Sequence, residues 1–356
     1  MILITGAAGF IGVKLAETLA GDYRVIGLDV KRPAQAAPFT EFLDCDLTND
    51  ESVGAALAGL RRRFGDRIAS VLHLAAYYDF SGRPSELYRT LTVEGTRRLL
   101  RELQAFTVEQ FVFSSTLLVV KPAESEDEVL TERTPVETEE TWDYPRSKIE
   151  AERVIRRERG QIPAVILRIA GVYDESCDSI PIAQQIARIY EKRLESYLFP
   201  GDADHGQAFV HLDDLAECFR RVVELRRELG ACELFLVAEP EVMSYAELQE
   251  CIGELVHARH WPTIRIPKLV AKAGAWVRQK MAGESAFIQP WMIDLADTHY
   301  PVAIGRARER LGWNPTRRLR DTLPEMIARL RRDPRGWYAA NKLPWPEARQ
   351  AAASRR

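Results

Sequence analysis

One loop near the amino end constrains this chain more than any other feature. Residues 1–5, Met-Ile-Leu-Ile-Thr, read as a buried strand; Gly6-Ala7-Ala8-Gly9-Phe10-Ile11-Gly12 follows at once and opens a helical pattern over residues 10–20. Glycine at 6, 9 and 12 lets the backbone turn tightly and approach a pyrophosphate, whose charge then meets the free N–H groups and positive dipole end of the helix. The order strand, glycine loop, helix is what separates such a cradle from an ordinary glycine turn. Gly6, Ala8, Gly9, Phe10, Ile11 and Gly12 are the expected phosphate-side residues.

The first half of the chain repeats this rhythm. Apolar runs at 23–28, 39–43, 68–74, 109–115 and 164–169 alternate with helical stretches at 49–63, 84–105 and 144–159. Such a succession predicts an α/β fold, a Rossmann-type doubly wound parallel sheet covered on both faces. After residue 172 helices at 179–194, 212–228, 244–258, 267–282, 304–311 and 321–332 are parted by Pro-rich or Gly-rich joints, with short strands at 207–211 and 233–237. The expected organisation is a dinucleotide-binding domain over 1–172, to which the chain returns near 207–237, a smaller, mostly helical substrate-binding lobe over 173–335, and a C-terminal tail over 336–356. Residues 124–140, with eight acidic residues and one basic one, read as a solvated loop crossing a cleft.

Composition narrows the partners. The 49 Lys and Arg against 52 Asp and Glu leave a formal charge of −3, which excludes a nucleic-acid binder working by bulk charge. The five cysteines, at 45, 177, 218, 232 and 251, include no C-x-x-C pair and fit reduced thiols in a cytoplasmic protein. No apolar run reaches the roughly 18–20 residues of a membrane helix, and no basic leader precedes the first strand. A small-molecule substrate is the expected partner.

Several polar residues then fall where chemistry needs them. Asp29 ends the second strand, where a carboxylate accepts hydrogen bonds from the adenosine ribose and repels a 2′-phosphate, favouring NAD, while Lys31 and Arg32 leave NADP open. Asp46-Leu47 either places a carboxylate beside the adenine amino group or caps the 49–63 helix. Tyr144 and Lys148 are four apart on a helix and share a face, with Pro145 tolerated in its first turn. A nearby ammonium and an oxidised nicotinamide favour the phenolate, bringing the phenol towards working pH so that Tyr144 exchanges a proton with a substrate hydroxyl. Ser114-Ser115-Thr116 ends the fifth strand, where a hydroxyl either reaches the reacting oxygen or only satisfies the strand end.

With the glycine loop, His73-Leu74-Ala75-Ala76, Val93-Glu94-Gly95-Thr96, Phe113-Ser114-Ser115-Thr116, Tyr144 to Lys148, Leu167-Arg168 and Phe209-Val210-His211-Leu212-Asp213-Asp214, the chain resembles extended short-chain dehydrogenases/reductases of the NAD-dependent epimerase/dehydratase type over roughly its first 330 residues. The resemblance implies Tyr144 as acid/base, Lys148 on the nicotinamide ribose and Thr116 as partner of the substrate oxygen. It also implies Leu74, Ala75, Ala76 and Ser114 beside the cofactor, and a homodimer through the 84–105 and 144–159 helices.

Departures from the family pattern choose a branch. Members that dehydrate or decarboxylate carry an acid one or two places after the Thr; Leu117 and Leu118 stand there. Nucleotide-sugar members tend to show Arg-Asp where this chain has Gln207-Ala208, and Asn where it has Ala170, although Arg188, Arg193 or Arg265 could substitute. The loop after the fourth strand offers Tyr77, Tyr78 and Phe80, suited to a less polar substrate or to packing. The resemblance is therefore closest to the branch of 3β-hydroxysteroid dehydrogenases, and the expected reaction is reversible oxidation of a secondary alcohol, with Tyr78, Phe80, Leu117 and Ala170 as substrate contacts. A nucleotide-sugar 4-epimerase holding its NAD tightly and a non-catalytic dinucleotide sensor are the alternatives. Residues 266–281 either roof the pocket or touch a membrane surface. His257 and His260 lack companions for a metal set, and the ten arginines of 306–335 read as a solvated helix face.

Overall fold

The computed structural model describes residues 1–33, 38–79, 83–125, 127–137, 142–272, 293 and 296–346. Its main sheet has seven parallel strands: β1 (Ile2–Thr5), β2 (Val25–Asp29), β3 (Glu41–Asp44), β4 (Ser70–His73), β5 (Phe111–Thr116), β6 (Ala164–Ile169) and β7 (Cys232–Val237), in spatial order β3-β2-β1-β4-β5-β6-β7. The order reverses between β1 and β4, and because all strands run the same way their carboxyl ends share one edge. In sheets of this kind ligands bind in the crevice at that edge, at the switch point.

Both faces of the sheet are apolar because successive side chains alternate sides. Leu3 packs with α2 (Asp50–Phe64), α3 (Glu94–Leu103) and α4 (Asp143–Glu158) through Leu57, Leu99 and Ile155. Ile2 and Ile4 pack on the opposite side with α1 (Phe10–Leu19) and α6 (Leu212–Glu224) through Leu15, Leu19, Phe219 and Val222. A third apolar cluster lies outside the sheet. It joins α5 (Ile180–Tyr190), α7 (Tyr245–His257), α9 (Leu319–Arg332) and α10 (Pro334–Ala340) through Ile186, Ile252, Trp261, Leu323 and Trp337; α8 (Gly305–Leu311) belongs to the core shared with α6.

Several boundaries differ from the sequence expectation. The run 68–74 breaks in two, since Arg67–Ile68 pairs with Thr107–Val108 outside the main sheet, and the run 109–115 enters the sheet only at Phe111 and extends to Thr116. Phe209–His211 pairs with Gly171–Tyr173 as a separate ribbon, so only Cys232–Val237 returns to the sheet. The 84–105 helix begins as a π-helix over Tyr88–Val93, where threonine hydroxyls compete for backbone groups: Thr90 Oγ1 donates to the Glu86 carbonyl and Thr92 Oγ1 accepts from the Tyr77 N–H. The expected boundary at 335/336 falls inside α10, whose Trp337 and Tyr338 are buried. Phe80 and most of the expected 267–282 helix lie outside the described residues, and no described helix is long and apolar enough to cross a membrane.

The arginines of 306–335 are largely spoken for: Arg306 and Arg310 meet Glu233, Arg317 meets Glu175 and Asp213, and Arg318 meets Glu241. His211 joins Glu175 and Asp213 in a cluster of metal-ligand types. Lys14 and Arg317 already engage these carboxylates. His211 Nδ1 accepts the Asp213 N–H, which leaves the proton on the Nε2 that faces Glu175. The cluster is an ion-pair network tying α1 and α6 to the segment before α9.

Candidate active site

The glycine loop is a cradle by geometry. Gly6 has φ +67°, and a Cβ there would stand 2.8 Å from the Ala75 nitrogen; one on Gly12 would stand 2.6 Å from the Gly6 carbonyl. Alanine at either position would force the loops apart. Gly9 is exposed and caps α1 without a side-chain hydrogen bond, and the first turn of α1 holds no acid, so its free N–H groups suit a phosphate. The Ala8 N–H donates to Asp29 Oδ2 (3.0 Å), and the Val30 and Lys31 N–H groups to Oδ1 (2.8 and 3.3 Å), which fixes the carboxylate beside the loop. Arg32 lies back over the Phe42 ring and Lys31 is exposed.

Asp46 is not the helix cap. Its Oδ1 accepts from the Thr48 N–H and hydroxyl (2.8 and 2.7 Å), closing a tight local turn, and Asn49 caps α2 instead. Leu47 is buried against Gly95 of α3.

Beneath the loop runs a chain of neutral hydrogen bonds. Thr96 Oγ1 gives its proton to the Thr92 carbonyl (2.6 Å), so it must accept from His73 Nε2 (2.9 Å); His73 Nδ1 then accepts from Thr5 Oγ1 (2.7 Å), which accepts the Ala75 N–H (3.3 Å). Every group is satisfied by one tautomer. Burial, with Lys148 nearby, drives the His73 pKa down to about 3, so the ring stays neutral. The sequence motif His73-Leu74-Ala75-Ala76 thus works through its His as well as its backbone, a role no local pattern announces.

The second centre sits where β5 meets α4. Tyr144 is hydrogen-bonded to Thr116, and Lys148, one turn on, donates to the Ser114 carbonyl at 2.6 Å and lies 4.8 Å over the Phe113 ring. The expected lowering of the Tyr144 phenol is not what the chain itself produces: burial pushes it up, against the pull of the Thr116 hydrogen bond. Lys148, 2 % exposed, is lowered to about 7, chiefly by desolvation. Tyr78 and Trp142 stand edge-on to Tyr144, ring centroids 4.8 and 5.7 Å away; Tyr78 is half exposed. Leu117 and Ala170, expected to touch substrate, are packed into the core at 4 % and 7 % exposure.

Sequence reasoning missed Glu152. One turn beyond Lys148, its buried carboxylate accepts from Ser115 Oγ (2.6 Å) and from Arg168 Nε and a terminal Arg168 nitrogen (3.1 and 2.9 Å). The signal was present as a charged residue four places after Lys148 on an otherwise buried face. A separate cavity of about 420 Å³ opens between residues 84–93 and the start of α4; among its charged lining, Arg89 pairs with Glu86 and Arg146 with Asp143.

The model for the NAD-dependent epimerase/dehydratase family matches residues 2–238, well over half of the chain. The chain belongs to this family. Among its relatives, 3 beta-hydroxysteroid dehydrogenase type 7 of Homo sapiens is 26% identical over 350 residues, covering 88% of this chain and 90% of the relative. UDP-glucose 4-epimerase of Streptomyces lividans is also 26% identical, over 342 residues, with 88% and 91% covered. The solved structure of Thermus thermophilus UDP-glucose 4-epimerase in complex with NAD shares the fold, with a TM-score of 0.68 and 20% identity over 93% of this chain and 98% of that one. This family member is thus an NAD-dependent enzyme of the extended short-chain dehydrogenase type, with relatives among both dehydrogenases and epimerases.

Proposed function

We propose that this enzyme oxidises a secondary alcohol to a ketone, and reduces it in reverse, with NAD as hydride carrier. The observation that carries the reading is the meeting of Thr116, Tyr144 and Lys148 at the carboxyl edge of the sheet. The Gly6–Gly12 loop fits a dinucleotide pyrophosphate because a side chain at Gly6 or Gly12 would meet backbone. Asp29 would hold the adenosine ribose, Asp46 and Leu47 the adenine end, Leu74 to Ala76 and Ser114 the middle, and Lys148 the nicotinamide ribose.

When bound, NAD takes up the hydride and brings a positive charge to the site. The residues supply the rest: Thr116 and Tyr144 hold the substrate hydroxyl, and Tyr144 takes its proton as the carbon–hydrogen bond breaks. Because burial alone raises the phenol, its ionisation depends on the Lys148 ammonium and the cofactor's charge.

Two features favour a small or apolar alcohol over a nucleotide sugar. Tyr78 and Trp142 flank the phenol, and Gln207, at the place of the pyrophosphate-gripping Arg, is bound to Thr298 Oγ1 (2.7 Å) and to Tyr245. One observation supports the 4-epimerase alternative: Arg188 on α5 is half-buried, and its Nε makes no hydrogen bond among the described residues. A cytoplasmic homodimer through the helices of 84–105 and 144–159 completes the reading and is checked by light scattering.

The test is reduction of added NAD with a panel of secondary alcohols. Tyr144→Phe is expected to lose about 10²–10⁴-fold in rate while still binding NADH; equal rates would remove Tyr144 from its role. Epimerisation of a nucleotide sugar without net NADH would install the alternative.

A further inference from the structure

Three consecutive residues of β5 engage α4: the Ser114 carbonyl takes Lys148, Ser115 takes Glu152 and Thr116 takes Tyr144. Tyr144, Lys148 and Glu152 recur every four residues and so form one stripe of the helix. On β6, Arg168 is the register partner of Ser115 and shares its face of the sheet. Glu152 is therefore gripped from both strands and, at 3.0 Å, by Arg156 of its own helix. It is 1 % exposed and Arg168 3 % exposed.

Stability is a poor reason for such a group. Burying two charges costs about as much as their attraction returns, and well-packed apolar residues would serve the fold as well. The carboxylate's place suggests a different use. Lys148 is as deeply buried and, among the described residues, makes no ion pair; its contacts are the Ser114 carbonyl and the faces of Phe113 and Tyr144. The titratable and charged groups around it are Tyr144 on α4, His73 on β4, which stays neutral, and Glu152, with Arg168 of β6 beyond it.

We propose that Glu152 is a positioning residue for Lys148, an immobile carboxylate one turn behind the amine that keeps it an ammonium inside the protein. Without that charge Lys148 turns neutral and can no longer favour the Tyr144 phenolate. The direction agrees with the amine's environment, in which burial lowers its pKa and Glu152 alone among charged groups raises it. The inference rests on Tyr144 and Lys148 being the reacting pair, and its test needs no turnover.

NMR of nitrogen-labelled lysine, with the Lys148 signal assigned by its loss in Lys148→Arg, reads the charge directly in the whole chain. The midpoint is expected near pH 7 in wild type and lower by about one pH unit in Glu152→Gln; Glu152→Asp, which keeps the charge, should restore most of the shift. Should Glu152→Gln fail to fold because Arg168 is left unpaired, Glu152→Met with Arg168→Met removes both charges and keeps an apolar fit. Its midpoint should also lie below wild type. An unmoved midpoint in whichever folded variant lacks the carboxylate overturns the proposal, whereas failure to oxidise any alcohol, with the shift present, strikes only the assigned reaction.

Discussion

Two buried polar networks lie side by side under the carboxyl edge of the sheet, one centred on His73 of β4 and the other on β5, β6 and α4, and they are built from opposite materials. Thr5, His73, Thr96 and the Ala75 N–H hold the glycine loop with neutral groups, each donor matched to one acceptor. Ser115, Glu152, Arg168 and Lys148 hold the other side with charges. The loop needs only fixed geometry, because a dinucleotide brings its own charge. Under the proposed reaction the phenol's side would have to keep a proton and an ammonium away from bulk water, and that takes a buried field, which neutral hydrogen bonds do not make.

Breaking each network once should separate them by size. Arg168→Met takes from the buried Glu152 its one buried cation, leaving it Ser115 and the more exposed Arg156, and should cost about 3 kcal/mol of stability or more, whereas the double Met variant should unfold near wild type. Thr96→Val orphans the His73 Nε2 proton and should cost about 1–3 kcal/mol. Urea unfolding measures both, and a Thr96→Val loss equal to that of Arg168→Met would erase the distinction between the two materials.

The pH dependence sharpens it further. His73 takes up a proton on unfolding anywhere between its ordinary 6.5 and its folded value of about 3, so stability contributed by its neutrality is lost as pH falls through that window. The slope reaches at most about 1.4 kcal/mol per pH unit. Glu152, lowered from 4.5, adds its own loss only below that value. Glu239, raised to about 8 by burial, has the opposite sign between 4.5 and 8 and is common to every variant compared. Between pH 6.5 and 4.5 the difference between wild type and His73→Gln should therefore carry the His73 slope, and a flat difference would mean that the ring is charged in the folded state.

How much of this was legible follows the same division. Strand, glycine loop and helix are local in sequence, so the doubly wound sheet and the cradle could be read from residues 1–20 and the alternation after them. Tyr144 and Lys148 were readable because one helix carries both. Glu152 was not, because its meaning depends on Arg168 of β6 and Ser115 of β5, which only the sheet register brings opposite it. The π-turn at Tyr88–Val93 escaped because threonine hydroxyls, not apolar spacing, decide it. Asp46 stayed open between an adenine contact and a helix cap because Asn49, three residues later, offers a cap to the same helix end.

The smallest expected effect tests the carboxylate held against the cradle. Asp29 accepts backbone N–H groups from both the glycine loop and its own turn, so it stays put whatever ligand arrives. A fixed carboxylate there disfavours a 2′-phosphate, and Arg32, laid over Phe42, is not turned to offset it. Asp29→Ala should therefore narrow the preference for NADH over NADPH by about tenfold, roughly 1.4 kcal/mol, as read by calorimetry with each cofactor. A wild type that already binds NADPH more tightly would show that Lys31, exposed beside Asp29, governs the choice, and the neutral side of the crevice would then owe its selectivity to a surface cation.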